Sequence, residues 1–510
     1  MFIGMRFWPL QGAGPFRSFN DMSFQPTARG IRRVSSLGFF VIIVLAVADI
    51  CLILTHTRYA QFVLPESLII AIVIFTTRRA VLEKDFFQPI MFINVVIVLA
   101  FVFRPLFLLC QNNIFEKSFV FGCYRRLYGI TETQVLDNLI SALYLCAFGM
   151  LAMVLGYSIR TRYLRRSVQP RKTNDFTYRD ANNKLILYLF MVLAALLFYR
   201  FIAKFGPLDL LSSMGVRMDI GIHLSFLDTA WASLLLGAII HLYLWNACNN
   251  VPNTSVYILT GFSIAMALFI GSRAAAINVL IIIMVLEYYL GRRRTMTIRL
   301  GLFIIMIVIV AYGFAEVRAH NRNQSGGRTP YLYWIVGEFN MADSLAISLD
   351  YKEVAGSGLY LGKSYLGGLL TFIPRSLWDK KPLPFDYVHT EEVYKGTVKG
   401  GLPTSIIGSL YLNFGYLGLG LGCFLLGYLF RALYILFRIR ARTFLDLAKY
   451  SILTTFIFDI VRVGDITREL FTFLISFLAF WTMFILFRKS NSKSHKKLTF
   501  FPCLTNTKFD

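Results

Sequence analysis

The sequence predicts an all-α, polytopic integral membrane protein with about twelve transmembrane helices. Three observations point there. The chain has 510 residues, of which 56% are hydrophobic and 16% charged, with a mean hydropathy of +0.61. A soluble domain could not hide that much apolar surface, and its charged fraction would be nearer a quarter. Apolar runs of roughly 18 or more residues recur, each long enough to cross about 30 Å of hydrocarbon as a helix. Strand-like alternation is missing, which argues against a membrane β-barrel.

The spans fall near 37–55, 62–77, 88–108, 135–157, 185–203, 226–245, 256–271, 274–290, 300–317, 406–435, 444–461 and 466–487. Basic residues orient them. Arg78, Arg79 and Lys84 follow the second span. Arg160, Arg162, Arg165, Arg166, Arg171 and Lys172 follow the fourth, Arg292, Arg293, Arg294 and Arg299 the eighth, and Arg438, Arg440 and Arg442 the tenth. With both termini inside, all of these face the cytoplasm, as the positive-inside rule asks. The uncharged inside loop at 246–255 is the weak point of this assignment. Residues 1–36 read as a cytoplasmic lead-in without the compact apolar core of a cleavable signal. Spans one to nine occupy 37–317, spans ten to twelve 406–487, and 488–510 form a basic cytoplasmic tail. The segment 318–405 is expected outside. It mixes charges of both signs with many tyrosines, which suits either sugar stacking or a small Tyr-rich cap.

The net charge of +24 comes from these short basic segments, so nucleic-acid binding is not expected. Seven cysteines show no metal spacing. Cys110 and Cys123 lie near an outer helix end, where either a disulfide or two free thiols would fit. The six histidines form no HExxH pair, no DxD occurs, and no Gly-rich phosphate loop opens a helix after a strand. No metal or other cofactor is therefore expected.

Charges in or beside spans are costly unless paired or facing water. Arg273, in Gly271-Ser272-Arg273-Ala274, sits at a tight outer turn. Arg462, in Asp459-Ile460-Val461-Arg462-Val463-Gly464-Asp465, sits at another, with Arg468 close behind. Two guanidinium forks at one membrane face suit a pyrophosphate. The competing reading is an arginine that snorkels to headgroups or pairs with Asp459 or Asp465. Arg104 reads as a snorkelling anchor, Arg431 as an anchor at the cytoplasmic end, and Glu66 and Asp49 as hydrogen-bonded structural polars.

Three stretches carry a family resemblance. They are Gly271-Ser272-Arg273-Ala274, then Phe372-Ile373-Pro374-Arg375-Ser376-Leu377-Trp378-Asp379-Lys380-Lys381-Pro382 with Gly401-Leu402-Pro403-Thr404-Ser405-Ile406-Ile407-Gly408-Ser409-Leu410-Tyr411 and Asn413-Phe414-Gly415-Tyr416-Leu417-Gly418, and finally Arg462-Val463-Gly464. In these the chain resembles the Wzy-type O-antigen (oligosaccharide repeat unit) polymerases, mainly over 256–487. The resemblance implies a C-type glycosyltransferase with one large periplasmic loop, working in the bacterial inner membrane. Its implied reaction transfers the growing glycan from undecaprenyl pyrophosphate to a new lipid-linked repeat unit. Arg273 and Arg462 would bind the departing pyrophosphate. Asp343 would take the acceptor proton, with Glu338 second in line. Arg217, Arg318, Arg322 and Arg375 would contact glycan or phosphate, and Lys381 and Tyr411, inside the middle stretch, would join them as substrate-binding residues. Partners implied are undecaprenyl-pyrophosphate-linked oligosaccharides, membrane lipids and a separate chain-length regulator protein. The rival readings are an O-antigen ligase or another C-type transferase, and a lipid-linked-oligosaccharide flippase. No internal repeat of the transporter kind is visible.

Overall fold

The structure is a computed structural model. It describes residues 60–83, 85–109, 118–159, 182–205, 226–249, 251–270, 273–290, 339–356, 358–370, 373, 377–378, 385–395, 401–439 and 444–498. Every regular element among them is helical. The helices are α1 (Ala60–Leu82), α2 (Pro89–Leu109), α3 (Phe119–Tyr128), α4 (Glu132–Ser158), α5 (Asn182–Phe205), α6 (Phe226–Asn249), α7 (Thr254–Ile270), α8 (Arg273–Leu290), α9 (Met341–Ala355), α10 (Lys363–Leu369), α11 (Phe385–Tyr394), α12 (Ser405–Tyr434), α13 (Phe444–Val463) and α14 (Ile466–Leu498).

Seven helices among the described residues are long and apolar enough to cross a membrane: α1, α2, α4, α5, α6, α12 with its π-helical extension to Ile439, and α14. The chain is thus an α-helical protein of the multi-pass membrane kind. Three further expected spans are helical but fall short. The apolar stretches of α7 and α8 are brief, and α13 carries Asp446, Lys449, Asp459 and Arg462 within its 20 residues. The expected spans at 37–55 and 300–317 lie outside the described residues.

The central contact is between α4 and α12. Glycine permits it: a Cβ on Gly156 would stand 2.0 Å from Phe424 O, and one on Gly427 would stand 2.0 Å from Met153 O. Hydrocarbon offers helices no hydrophobic reason to associate, so close backbone approach through small residues supplies the van der Waals contact instead.

One end of the bundle is clasped by the turn after α1. Asp85 accepts from Tyr289 at 2.6 Å and Tyr434 at 2.8 Å, and forms an ion pair with Arg438 at 3.4 Å. Glu83 pairs with Arg431 at 3.1 Å, whose guanidinium lies over Tyr157 and Tyr434. Tyr450, near the start of α13, donates to Phe87 O. The clasp therefore gathers the ends of α1, α4, α8 and α12, the same ends that the basic segments follow in the sequence. Arg431 is an anchor there, held by an acid and two rings.

The opposite end carries α9, α10 and α11, which come from the long segment 318–405. These helices are packed into the end of the bundle. Met341 and Ala342 are fully buried, and Asp350 accepts from Tyr124 at 2.8 Å and Asn138 at 3.0 Å. Replacing Gly427 with Leu should wedge α4 from α12 and cost about 1–3 kcal/mol by overpacking. A lowered melting temperature of the detergent-solubilised protein would register it, whereas an unchanged melt would show that this crossing bears no load.

Candidate functional site

The turn between α13 and α14 is written by local rules. Gly464 has φ 86°, a left-handed residue that ends α13 as a helix stop. A Cβ there would also stand 2.3 Å from Ser405 O, so glycine is required twice over. Asp465 then caps α14: its Oδ1 accepts from Arg468 N at 3.0 Å, and its Oδ2 from Phe385 N at 3.2 Å. Arg462 occupies the last turn of α13, where a cation complements the helix dipole.

Arg462 Nη2 lies 3.5 Å from Asp459 Oδ1, so the pairing with Asp459 that the competing reading asks for occurs, at long range. Its Nε is buried with no hydrogen-bond partner among the described residues. Asp459 also accepts from Asn278 Nδ2. Next to this group, Arg468 pairs with Asp386 at 2.7 Å and approaches Glu469 at 3.7 Å. Burial pushes the Asp386 carboxyl up, against the opposing pull of Arg468.

The start of α12 completes the surroundings. Thr404 is its N-cap residue and makes no side-chain capping bond. The hydroxyls of Thr404 and Ser405 are both buried without partners among the described residues, and Ser405 has φ 64°. A non-glycine residue there costs roughly 1–3 kcal/mol. An uncapped helix start presents free N–H groups, which favour an anion.

Arg273 opens α8, and the register of α8 against α13 places that end of the helix. Asn278 meets Asp459, while Tyr289 meets Tyr450 with ring centroids 6.0 Å apart. The two helices are therefore antiparallel. Residue 273 lies about 7.5 Å of helix beyond Asn278, and Arg462 about 4.5 Å beyond Asp459, toward the same end. Residue 273 at the start of α8 and the Arg462-Val463-Gly464 turn after α13 thus reach one end of the bundle on neighbouring helices.

Asp343 is placed otherwise than the sequence suggests. Its carboxylate is fully buried and accepts from Arg104 Nη2 at 2.7 Å and Ser118 Oγ at 2.7 Å. A carboxylate this deeply buried presents no surface to an incoming hydroxyl. Arg104 is corrected with it: the residue is 2% exposed, so it ties α2 to α9 through a buried pair and does not snorkel. Burial is what sequence reading missed, because α9 looked like a loop. Tyr411 is half-buried on α12, beside Tyr416 and with Lys352 Nζ 5.7 Å from its ring centre. Nearby, Gly415 breaks the helix at φ 67°, ψ −157°. The freed carbonyls of Leu412 and Asn413 accept Tyr360 N at 3.1 Å and Leu361 N at 3.0 Å. Arg217, Arg318, Arg322, Glu338, Arg375 and Lys381 lie outside the described residues, as does Cys110; Cys123 is a free, buried thiol.

Asn278, Glu469 and the uncapped start of α12 were not singled out in the sequence. Glu469 left a signal, being an acid in the first turn of a strongly apolar helix. Asn278 left none. The cap also holds a chain of polar contacts. His389 Nε2 lies 2.6 Å from Ser348 Oγ, its Nδ1 lies 3.3 Å from Tyr360 Oη, and Tyr360 donates to Glu392 at 2.6 Å.

Against known proteins, no family model, no curated protein and no solved structure matches the chain.

Two predictions follow from the buried groups. Asp343→Ala leaves Arg104 buried and unpaired, a loss of about 3–5 kcal/mol, and the double variant with Arg104→Met should recover part of it. A well-folded Asp343→Asn protein that is inactive would instead restore a chemical role for Asp343. Burial, aided by Lys352, holds His389 down at about 4. The unfolded chain then binds that proton first as pH falls from about 6.5, so stability rises with pH. The cap should loosen between about 6.5 and 4 as the His389 contribution is lost. Hydrogen exchange of α11 should show that acid dependence, and His389→Gln should flatten it; an unaltered dependence in the variant would assign it to other groups.

Proposed function

We propose that the chain polymerises lipid-linked sugar repeat units. In this reading it is a C-type glycosyltransferase of the O-antigen polymerase kind, in the bacterial inner membrane with both termini cytoplasmic. It moves the growing glycan from undecaprenyl pyrophosphate to the non-reducing end of a fresh lipid-linked unit on the periplasmic face. The observation that carries the reading is the shared end of α8 and α13. That end holds residue 273, the first of α8, and the Arg462-Val463-Gly464 turn, beside a helix start with uncommitted hydroxyl donors.

The chemistry follows from charge. An acceptor hydroxyl attacks the anomeric carbon, and negative charge grows on the leaving pyrophosphate. Guanidinium groups held in place before the reaction stabilise that charge more in the transition state than in the ground state. Arginine suits this because its fork matches two phosphate oxygens and it stays charged at any relevant pH. Tyr411, half-buried beside the Gly415 break, would stack on a sugar.

In cells lacking the native copy, Arg462→Ala or Arg273→Ala should abolish long glycan while single repeat units still reach lipid A. Losing one such donor is worth roughly 10²–10³ in rate. Arg→Lys at either position should recover little. Single units stranded on the inner leaflet would favour a flippase instead. Elongation by the reconstituted protein in the presence of chelator and without nucleotide would separate this reading from a nucleotide-sugar transferase.

A further inference from the structure

With Asp343 buried and engaged by Arg104 and Ser118, the proton of the acceptor hydroxyl needs another destination. Four other carboxylates lie around the α13–α14 turn. Asp465 is committed at both oxygens, Oδ1 to Arg468 N and Thr467 Oγ1, Oδ2 to Phe385 N. Asp386 is committed likewise, to Arg468 Nη1 and to Tyr387 N. Asp459 accepts from Asn278 at one oxygen and faces Arg462 at the other.

Glu469 differs. It is 7% exposed, yet it accepts no hydrogen bond among the described residues. Its nearest partner is Arg468 Nε at 3.7 Å, beyond hydrogen-bonding range. Neither of its oxygens is among the sealed, partnerless atoms of the bundle. It also interacts electrostatically with Arg462 and Asp459. A nine-tenths-buried carboxylate with open lone pairs, in the electrostatic field of the arginine that would hold the leaving group, is arranged for proton transfer rather than for a salt bridge.

We infer that Glu469 is the catalytic base of the glycosyl transfer proposed for this site, an inference that rests on that proposal. The acceptor hydroxyl gives its proton to Glu469. The oxygen's electron pair forms the bond to the anomeric carbon, and the bond from that carbon to the pyrophosphate oxygen breaks. That electron pair leaves with the pyrophosphate, whose added charge Arg462 meets. Glu469 then returns its proton to water.

The test reconstitutes the full-length protein in vesicles. Its substrate is the lipid-linked repeat unit extracted from membranes of cells deleted for this chain. Glu469→Gln should lower kcat by about 10²–10⁴ with KM for the lipid-linked unit nearly unchanged, and should remove the acid limb of the pH–rate profile. Glu469→Asp, which keeps the carboxylate, should restore part of kcat and that limb; it also serves should the glutamine variant fail to fold. Wild-type elongation beside a folded Glu469→Gln protein with kcat within tenfold, or an Asp variant no better than Gln, overturns the inference and leaves the polymerase reading standing. No elongation by the wild type overturns both.

Discussion

The close crossing of α4 and α12 is the contact on which the rest of the bundle depends. Its glycines let two backbones meet where hydrocarbon gives side chains no reason to do so. With that crossing fixed, α12 acts as a strut between the two ends. At one end Arg431 and the π-helical Arg438 lock onto Glu83 and Asp85. At the other the Ser405 backbone seats Gly464 and with it the turn that bears Arg462. A shift of α12 along its axis would disturb both ends at once.

Charge is sorted in this protein by what each group has to meet. At the clasp, acids are saturated by tyrosine hydroxyls and guanidinium groups, and the rings stack on the same cations. Such a network stabilises because each charge meets opposite charge or a hydroxyl. The Arg104–Asp343 pair under the cap is likewise buried and matched, though Arg104 Nη1 has no hydrogen-bond partner among the described residues. Around the α13–α14 turn more such groups gather. Arg462 keeps a buried Nε unpaired, Thr404 and Ser405 keep idle hydroxyls, and Glu469 keeps open oxygens. Groups left unsatisfied cost stability, and folded proteins keep them where a ligand supplies the missing partners.

The cap shows how a break in a helix becomes a binding element. Gly415 interrupts α12, and the carbonyls it frees are taken up by residues 360–361. The Asn413 side chain adds a bond from Ser364 at 2.7 Å. The Asn-Phe-Gly stretch, readable in the sequence as part of a motif, thus joins the bundle to α10, which in turn packs its Gly368 against Thr467 of α14. The motif stretches at 401–418 and 462–464 meet in space because of this chain of contacts.

The sequence by itself determined the class of the fold, an α-helical membrane protein, and the approximate place of several of its apolar helices. Apolar runs long enough for hydrocarbon, basic segments after alternate spans, and stop signals such as Gly464-Asp465 are local properties, so they are legible in one dimension. It also marked Arg273 and Arg462, because an arginine at an apolar helix end stands out against its neighbours. What it could not determine was which charges find partners. Asp343 looked available and is buried; Arg104 looked like a lipid anchor and is that acid's counterion; Glu469 was passed over and accepts no hydrogen bond among the described residues. Those differences are decided by packing between residues more than two hundred positions apart, as Arg104 and Asp343 are. Pairing energy depends on distance and burial in three dimensions, and spacing along the chain carries neither.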